Sequence, residues 1–431
     1  MISHLPIRSE INRLPIHLEI NPLRIRSPTS RRLAARRAVK PRLLILQPSS
    51  LCNLDCTYCY VPNRQDKSVM SEPTLRAALR LLLACYGPGD SLRILWHAGE
   101  PLAAGLGFFE RASEIIRESN PGGVKISQTI QTNGTLITEQ WCRFFVRGRI
   151  QIGVSVDGPA HVHDRHRKNL GNGPTHAGVM RGVNLLARHD IALDAVAVLT
   201  PYGLNFPDDI FDFFAETGFR SVGFNLEETE GVHNSAFEDR QTQAGRSREA
   251  YLAFMSRLFE RWQRAGRRPR IREFESMIAS IGAFLRDHNY YRTSDDLTPF
   301  SNIVVSREGE MSTFSPELAS GTRSDPLRFS LGNVHAIGSL GELAANQKFS
   351  NQAGEIESGV ARCRSECEYF PVCGGGTASN KFYERGTFDC AETTTCRLHR
   401  KALALVVADG LRKLSSVRAG MPELAIASNS K

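Results

Sequence analysis

The chain has no run of apolar residues near the roughly 18 that a membrane-spanning helix needs, so no helical membrane segment is expected. Its N-terminus lacks the charged, apolar and small-residue order of a secretory signal. Cysteine is missing over most of the length: none occurs between Cys59 and Cys85, Cys85 and Cys142, or Cys142 and Cys363. Eight of the ten cysteines therefore fall in two tight clusters. Such clustering without an export signal favours metal ligation over disulfides, and a reducing, cytoplasmic setting. Cys85 and Cys142 stand alone in helix-like segments and read as small buried apolar residues. Basic charge is also scarce outside one region. Residues 1–42 hold ten Lys/Arg against two Glu, which is eight of the nine net positive charges. That basic extension suits nucleic acid or an acidic peptide, but no nucleic-acid-binding motif is visible in the near-neutral body. At 431 residues and 41% apolar, the chain has room for two or three domains.

The first cluster is Cys52, Cys56 and Cys59, spaced C-x3-C-x2-C. Three thiolates on one tight loop can hold three irons of a [4Fe-4S] cube. The fourth iron then stays open to a small molecule. Structural zinc would want four ligands, usually in C-x2-C pairs. The spacing closely resembles the radical S-adenosylmethionine (SAM) superfamily.

From residue 43 the chain repeats strand, polar loop, helix. Strands are expected over 43–47, 92–96, 124–131, 151–156, 191–199 and 221–225, with helices between them. This rhythm implies parallel βαβ units. Six units give a partial (β/α)6 TIM-like barrel, here a radical SAM barrel over 43–240. Chemistry-bearing residues fall at the C-terminal ends of the strands, the face that carries active sites in such barrels. Residues 241–299 read as a charged helical bridge. Residues 300–405 read as short strands, many glycines and the second cysteine cluster, and 406–431 as a helix end and a loose tail.

SAM presents its amine and carboxylate to the open iron, so a glycine turn near the cluster is expected. His97-Ala98-Gly99-Glu100-Pro101 fits and resembles the superfamily's GGEP motif, with Ala98 for the first glycine. The resemblance implies that Gly99 and Glu100 help hold the amine. Asn133 ends strand three. Ser155 and Asp157 offer a hydroxyl and a carboxylate to the SAM carboxylate or ribose. Arg167 is the candidate partner of the SAM carboxylate, since guanidinium matches carboxylate bidentately. Tyr58 stands where the superfamily often packs an aromatic near the adenine.

The second cluster, Cys363, Cys367, Cys373, Cys390 and Cys396, resembles the C-terminal SPASM-type iron–sulfur domain of radical SAM peptide maturases. It departs from that pattern in two places. Thr377 stands where a further cysteine is expected, and Gly309-Glu310-Met311-Ser312-Thr313-Phe314 carries none. One auxiliary [4Fe-4S] cluster is therefore expected instead of two. Cys363, Cys367 and Cys373 would hold it, with Cys396 favoured over Cys390 by spacing. Structural zinc is the other occupant a four-cysteine set can take.

Several phrases narrow the family: Trp96 to Leu102, Phe224-Asn225-Leu226-Glu227-Glu228 with Glu230-Gly231, Ser312 to Leu318, Cys373-Gly374-Gly375-Gly376 with Ser379-Asn380-Lys381, and Glu384 to Phe388 with Glu392-Thr393. Together they resemble the cyclophane-forming radical SAM/SPASM maturases of the GrrM/XyeB type. That resemblance implies a ribosomal precursor peptide as substrate. A 5′-deoxyadenosyl radical would take a β-hydrogen, and the carbon radical would join an aromatic ring. It also implies a flavodoxin- or ferredoxin-type electron donor. Glu227 or Glu228 at the rim would take the proton; adjacent residues point oppositely, so only one is expected to face the barrel. Sulfatase formylglycine formation, thioether formation and RNA modification through the basic arm are the other functions considered.

Overall fold

A computed structural model describes residues 40–237 and 243–419. Most of the basic extension and the last twelve residues lie outside them. Of that extension, Lys40 and Arg42 are described, and they pair with Asp90 and Asp295 on the body.

Ten strands form one sheet: β1 (Leu43–Leu46), β2 (Ser91–Trp96), β3 (Lys125–Thr132), β4 (Gln151–Ser155), β5 (Asp194–Leu199), β6 (Ser221–Leu226), β7 (Arg270–Ile271), β8 (Asn302–Val305), β9 (Glu310–Thr313) and β10 (Gly332–Asn333). Their order is β10-β9-β8-β1-β2-β3-β4-β5-β6-β7. Strands β1 to β7 pair in parallel, in chain order, as the strand–helix rhythm requires. The sheet does not close, so β7 and β10 are its edges.

Local chemistry explains the elements. Strand β1 is Leu-Leu-Ile-Leu and almost wholly buried, as expected of a parallel strand covered on both faces. The helix Glu72–Leu83 starts at Ser71, whose hydroxyl accepts from Thr74 N, and carries Pro73 and Glu72 in its first turn. Thr138 caps Glu139–Gly148 in the same way. Trp96, Phe109, Trp141 and Phe145 interlock under the outer helices with ring centroids 5.2–5.6 Å apart. Cys142 is fully buried in this core and Cys85 packs against it, as their isolation suggested.

Two expectations are corrected. The boundary near residue 300 is not a break in the sheet: β8 pairs in parallel with β1, Leu43 opposite Asn302 and Leu46 opposite Val305. Second, strands beyond residue 300 end at Asn333. Among the described residues, the regular elements C-terminal to Asn333 are helices, led by the 20-residue helix Gln347–Glu366, which starts at Asn346 and carries Cys363 in its last turn. A smaller core of Phe314, Leu318, Phe329, Ile356 and Phe388 seals this part. The chain's last described helix runs over Leu403–Ala419, and the rest of the expected loose tail lies outside the described residues.

Candidate active site and the second thiol site

The loop after β1 carries Cys52, Cys56 and Cys59. It is laced to the segment after the helix Ala160–His166: Asp55 N donates to Lys168 O at 2.7 Å and Thr57 N to His166 O at 3.0 Å. Thr57 Oγ1 also bonds His166 Nδ1 at 2.9 Å. The turn after β2 presses on the loop's other end. Gly99 has φ +57°, and a Cβ there would lie 2.7 Å from the backbone of Ser50 and Leu51. Only glycine permits that approach. Glu100 N donates to Leu51 O at 2.8 Å.

The thiols sit together. Burial pushes Cys52 up to about 12, with Cys56 and Cys59 adding to the rise. Burial likewise lifts Cys56 to about 11. Such thiols ionise only beside concentrated positive charge, which an iron cluster supplies. Leu54 N donates to Cys52 Sγ at 3.4 Å, a contact suited to a thiolate. Asn133 Nδ2 lies 4.0 Å from the same sulfur and donates to Asn53 Oδ1 at 2.9 Å. Asn53 in turn reaches Thr135. The donor set therefore fits a three-thiolate cluster. A cavity of about 310 Å³ opens beside Cys56, lined by Thr57, Arg64 and Lys168.

The structure places Asp157 and Arg167 against each other, with Arg167 Nε and Nη2 each 3.0 Å from one carboxylate oxygen. Asp157 also accepts from Tyr58 Oη at 2.5 Å and from Val198 N at 2.9 Å. Its four acceptor positions are thus filled by protein, and it is only 3% exposed. Burial raises its pKa, but Arg167 and His163 overcome this and hold it below the carboxylate range. The Arg167 guanidinium lies 5.4 Å from the Tyr58 ring, so that aromatic face is covered by an arginine.

Glu100 is also differently engaged. It is fully buried and accepts from Leu102 N (3.0 Å), Thr132 Oγ1 (2.7 Å) and Asn133 N (2.6 Å). It ties the turn after β2 to the end of β3. Burial lifts it to about 7. Ser155 Oγ accepts from Gln131 Nε2 at 2.9 Å and keeps its proton for another partner. Three participants lacked a sequence signal: Asn53, His166 and Arg307, whose Nη2 bonds Asp66 at 2.6 Å while Nη1 bonds Ser50.

After β6 the chain returns to this loop, Val232 N donating to Tyr60 O at 3.4 Å. Glu227 and Glu228 take different partners. Glu227 Oε1 pairs with His233 Nε2 at 3.0 Å, and its buried Oε2 has no partner. Glu228 turns toward Asn380 and Glu230, and burial raises its pKa. Glu230 and Glu317 lie in the same buried carboxylate group; burial pushes Glu317 up to about 8.

In the C-terminal part, Cys363, Cys367, Cys373 and Cys396 line one cavity of about 110 Å³. Cys390 is not among its walls and points to Thr387 O at 3.7 Å. Cys396, and not Cys390, thus shares a cavity with the other three thiols. Burial raises Cys396 to about 12, with Cys373 adding to the rise. Four thiols on one cavity are the donor set that a closed cluster would take, though among the described residues their arrangement holds no ready-made site for a single metal ion.

Residues 46–216 match the Radical SAM superfamily. An uncharacterized protein of Synechocystis sp. is 36% identical over 376 residues, spanning 86% of this chain and 92% of that protein. The chain belongs to the radical SAM superfamily. It is an oxidoreductase-type enzyme of a superfamily that uses a [4Fe-4S] cluster and SAM. This radical SAM protein is also 28% identical over 350 residues to a cysteine-type anaerobic sulfatase-maturating enzyme of Clostridium perfringens, covering 78% of this chain and 88% of that one. Its fold matches two solved structures. One is native anSMEcpe with bound AdoMet and Cp18Cys peptide (TM-score 0.70, 23% identity, 88% of this chain and 99% of that one). The other is Streptococcus suis SuiB bound to precursor peptide SuiA (TM-score 0.57, 14% identity, 83% and 76%). Among the described residues no helix is long and apolar enough to cross a membrane.

Proposed function

We propose that this enzyme modifies a peptide, forming carbon–carbon crosslinks between an aromatic ring and a β-carbon in a ribosomal precursor. The observation that carries this reading is the single four-cysteine cavity in place of a larger auxiliary thiol set. When bound, SAM and the first cluster supply a 5′-deoxyadenosyl radical, and an auxiliary cluster supplies a one-electron acceptor.

The chain's own residues would do the rest. Cys52, Cys56 and Cys59 would hold the first cluster and leave one iron open. The Asp157–Arg167–Tyr58 group keeps that loop in register. Ser155 and Gly99 would meet the polar end of SAM. Crosslinking removes two hydrogens, one as an atom and one as a proton with an electron. Glu227 is the favoured proton acceptor, because its Oε2 is buried without a partner.

Co-expression with a neighbouring precursor peptide tests the proposal: mass spectrometry should find two hydrogens lost per modified motif. An unchanged mass with both clusters loaded rejects it. The sulfatase-maturating relatives support a second reading, formylglycine formation. Oxidising serine to an aldehyde also removes two hydrogens, so mass alone does not separate the readings. Hydroxylamine does, since it traps the aldehyde and leaves a carbon–carbon bond untouched. Glu227→Gln should abolish crosslinking while Glu228→Gln retains it; full activity in Glu227→Gln removes Glu227 as the base.

A further inference from the structure

Lys381 lies on the helix Ala378–Arg385 and is only 2% exposed. Lysine is almost never buried this deeply without a partner. None of the ion pairs formed with carboxylates among the described residues includes it; its Nζ donates to Cys363 Sγ at 3.5 Å. The facing helix is cut away to admit it: a Cβ on Gly359 would lie 3.0 Å from that Nζ and 2.0 Å from Phe388 O. The other lysine near the thiols is arranged differently. Lys401 is paired with Glu392 and its side chain is 27% exposed, so its charge is balanced and screened. Asp389, the nearby acid, pairs with Arg362 at 2.6 Å, so that it and the Cys390 thiol feel Lys381 without forming an ion pair with it.

We propose that Lys381 is a dedicated charge partner of the four-cysteine site, where it raises the reduction potential of the cluster that Cys363 helps to hold. The inference rests on reading that site as a cluster site. Reduction adds one negative charge to a cluster already carrying thiolates. A fixed ammonium beside one sulfur, in a poorly solvated pocket, favours the more negative state. Hydrogen bonds to sulfur and local charge are among the factors that set such potentials. Lys381 therefore tunes the site as a positioning residue, without touching substrate.

The test uses the full chain with both clusters loaded. Iron is counted in the wild type and in a Cys363→Ala, Cys367→Ala, Cys373→Ala variant. The variant should lack one cluster's iron; equal iron, or zinc at the site, overturns the cluster reading itself. Potentials are then measured by spectroscopic redox titration in Lys381→Met and Lys381→Arg. Lys381→Met should keep its iron and shift the auxiliary potential negative by at least tenfold in the reduction equilibrium, about 59 mV for one electron. Lys381→Arg should stay near the wild type. If Lys381→Met loses the cluster while Lys381→Arg keeps it, charge pairing is again supported. An unshifted potential in Lys381→Met, or cluster loss in both variants, overturns the role of charge.

Discussion

Replacing Asp157 by asparagine tests whether the Asp157–Arg167 pair is architectural. The substitution keeps one acceptor oxygen and removes the charge. Arg167 would then be a cation with 9% of its side chain exposed and no anionic partner. Breaking a buried pair from one side costs about 3–5 kcal/mol. Of the two other donors, Tyr58 Oη and Val198 N, the remaining oxygen serves only part, adding to the cost. Asp157→Asn should therefore lower unfolding free energy by about 3–5 kcal/mol in SAM-free protein. Arg167→Met alone should cost a similar amount. The double variant should cost much less than the sum, because neither charge is stranded. Chemical denaturation of all four proteins without SAM gives the cycle. A loss below about 1 kcal/mol in Asp157→Asn, or additive losses, would refute the pairing and return both residues to the cofactor.

Three further outcomes follow from the site. Cys396→Ser should remove the auxiliary cluster's iron whereas Cys390→Ser should not, as metal analysis of the purified proteins can check. Gly99→Ala should destabilise the chain by about 1–3 kcal/mol and lower iron loading, since its Cβ would strike fixed backbone; an undisturbed melting curve with full iron loading would contradict this. Glu100 has its pKa raised to about 7 in the fold against about 4.3 in an unfolded chain. The stability it contributes is present below the unfolded value and lost as pH rises through about 7. In a Cys52→Ala, Cys56→Ala, Cys59→Ala background, stability should fall across that window, and Glu100→Gln should flatten the fall.

The sequence showed the rim motifs because their signals are local. Continuous apolar strands and the C-x3-C-x2-C spacing act within a few residues, and the structure puts them at the C-terminal ends of parallel strands. Asp157 and Arg167 had the correct chemistry but another partner. A carboxylate and a guanidinium ten residues apart satisfy each other before any ligand arrives. The helix Gln347–Glu366 was hidden because few of its residues face a core: Gln352, Ile356, Gly359 and Cys363 are the buried ones. Spacing leaves both Cys390 and Cys396 open as a fourth ligand; which of them shares a cavity with the other three thiols is a property of the fold. Nothing in Asn302-Ile303-Val304-Val305 names β1 as its neighbour, since strand pairing at that separation leaves no local mark.

That pairing has a consequence for how the protein is made. Strand β1 leaves the ribosome well before its second neighbour, β8, which is synthesised about 260 residues later. At about 5–20 residues per second the wait is tens of seconds. Throughout it one edge of β1 is bare, directly before the three thiols. The loop that carries the three thiols thus emerges beside a sheet still incomplete on one side.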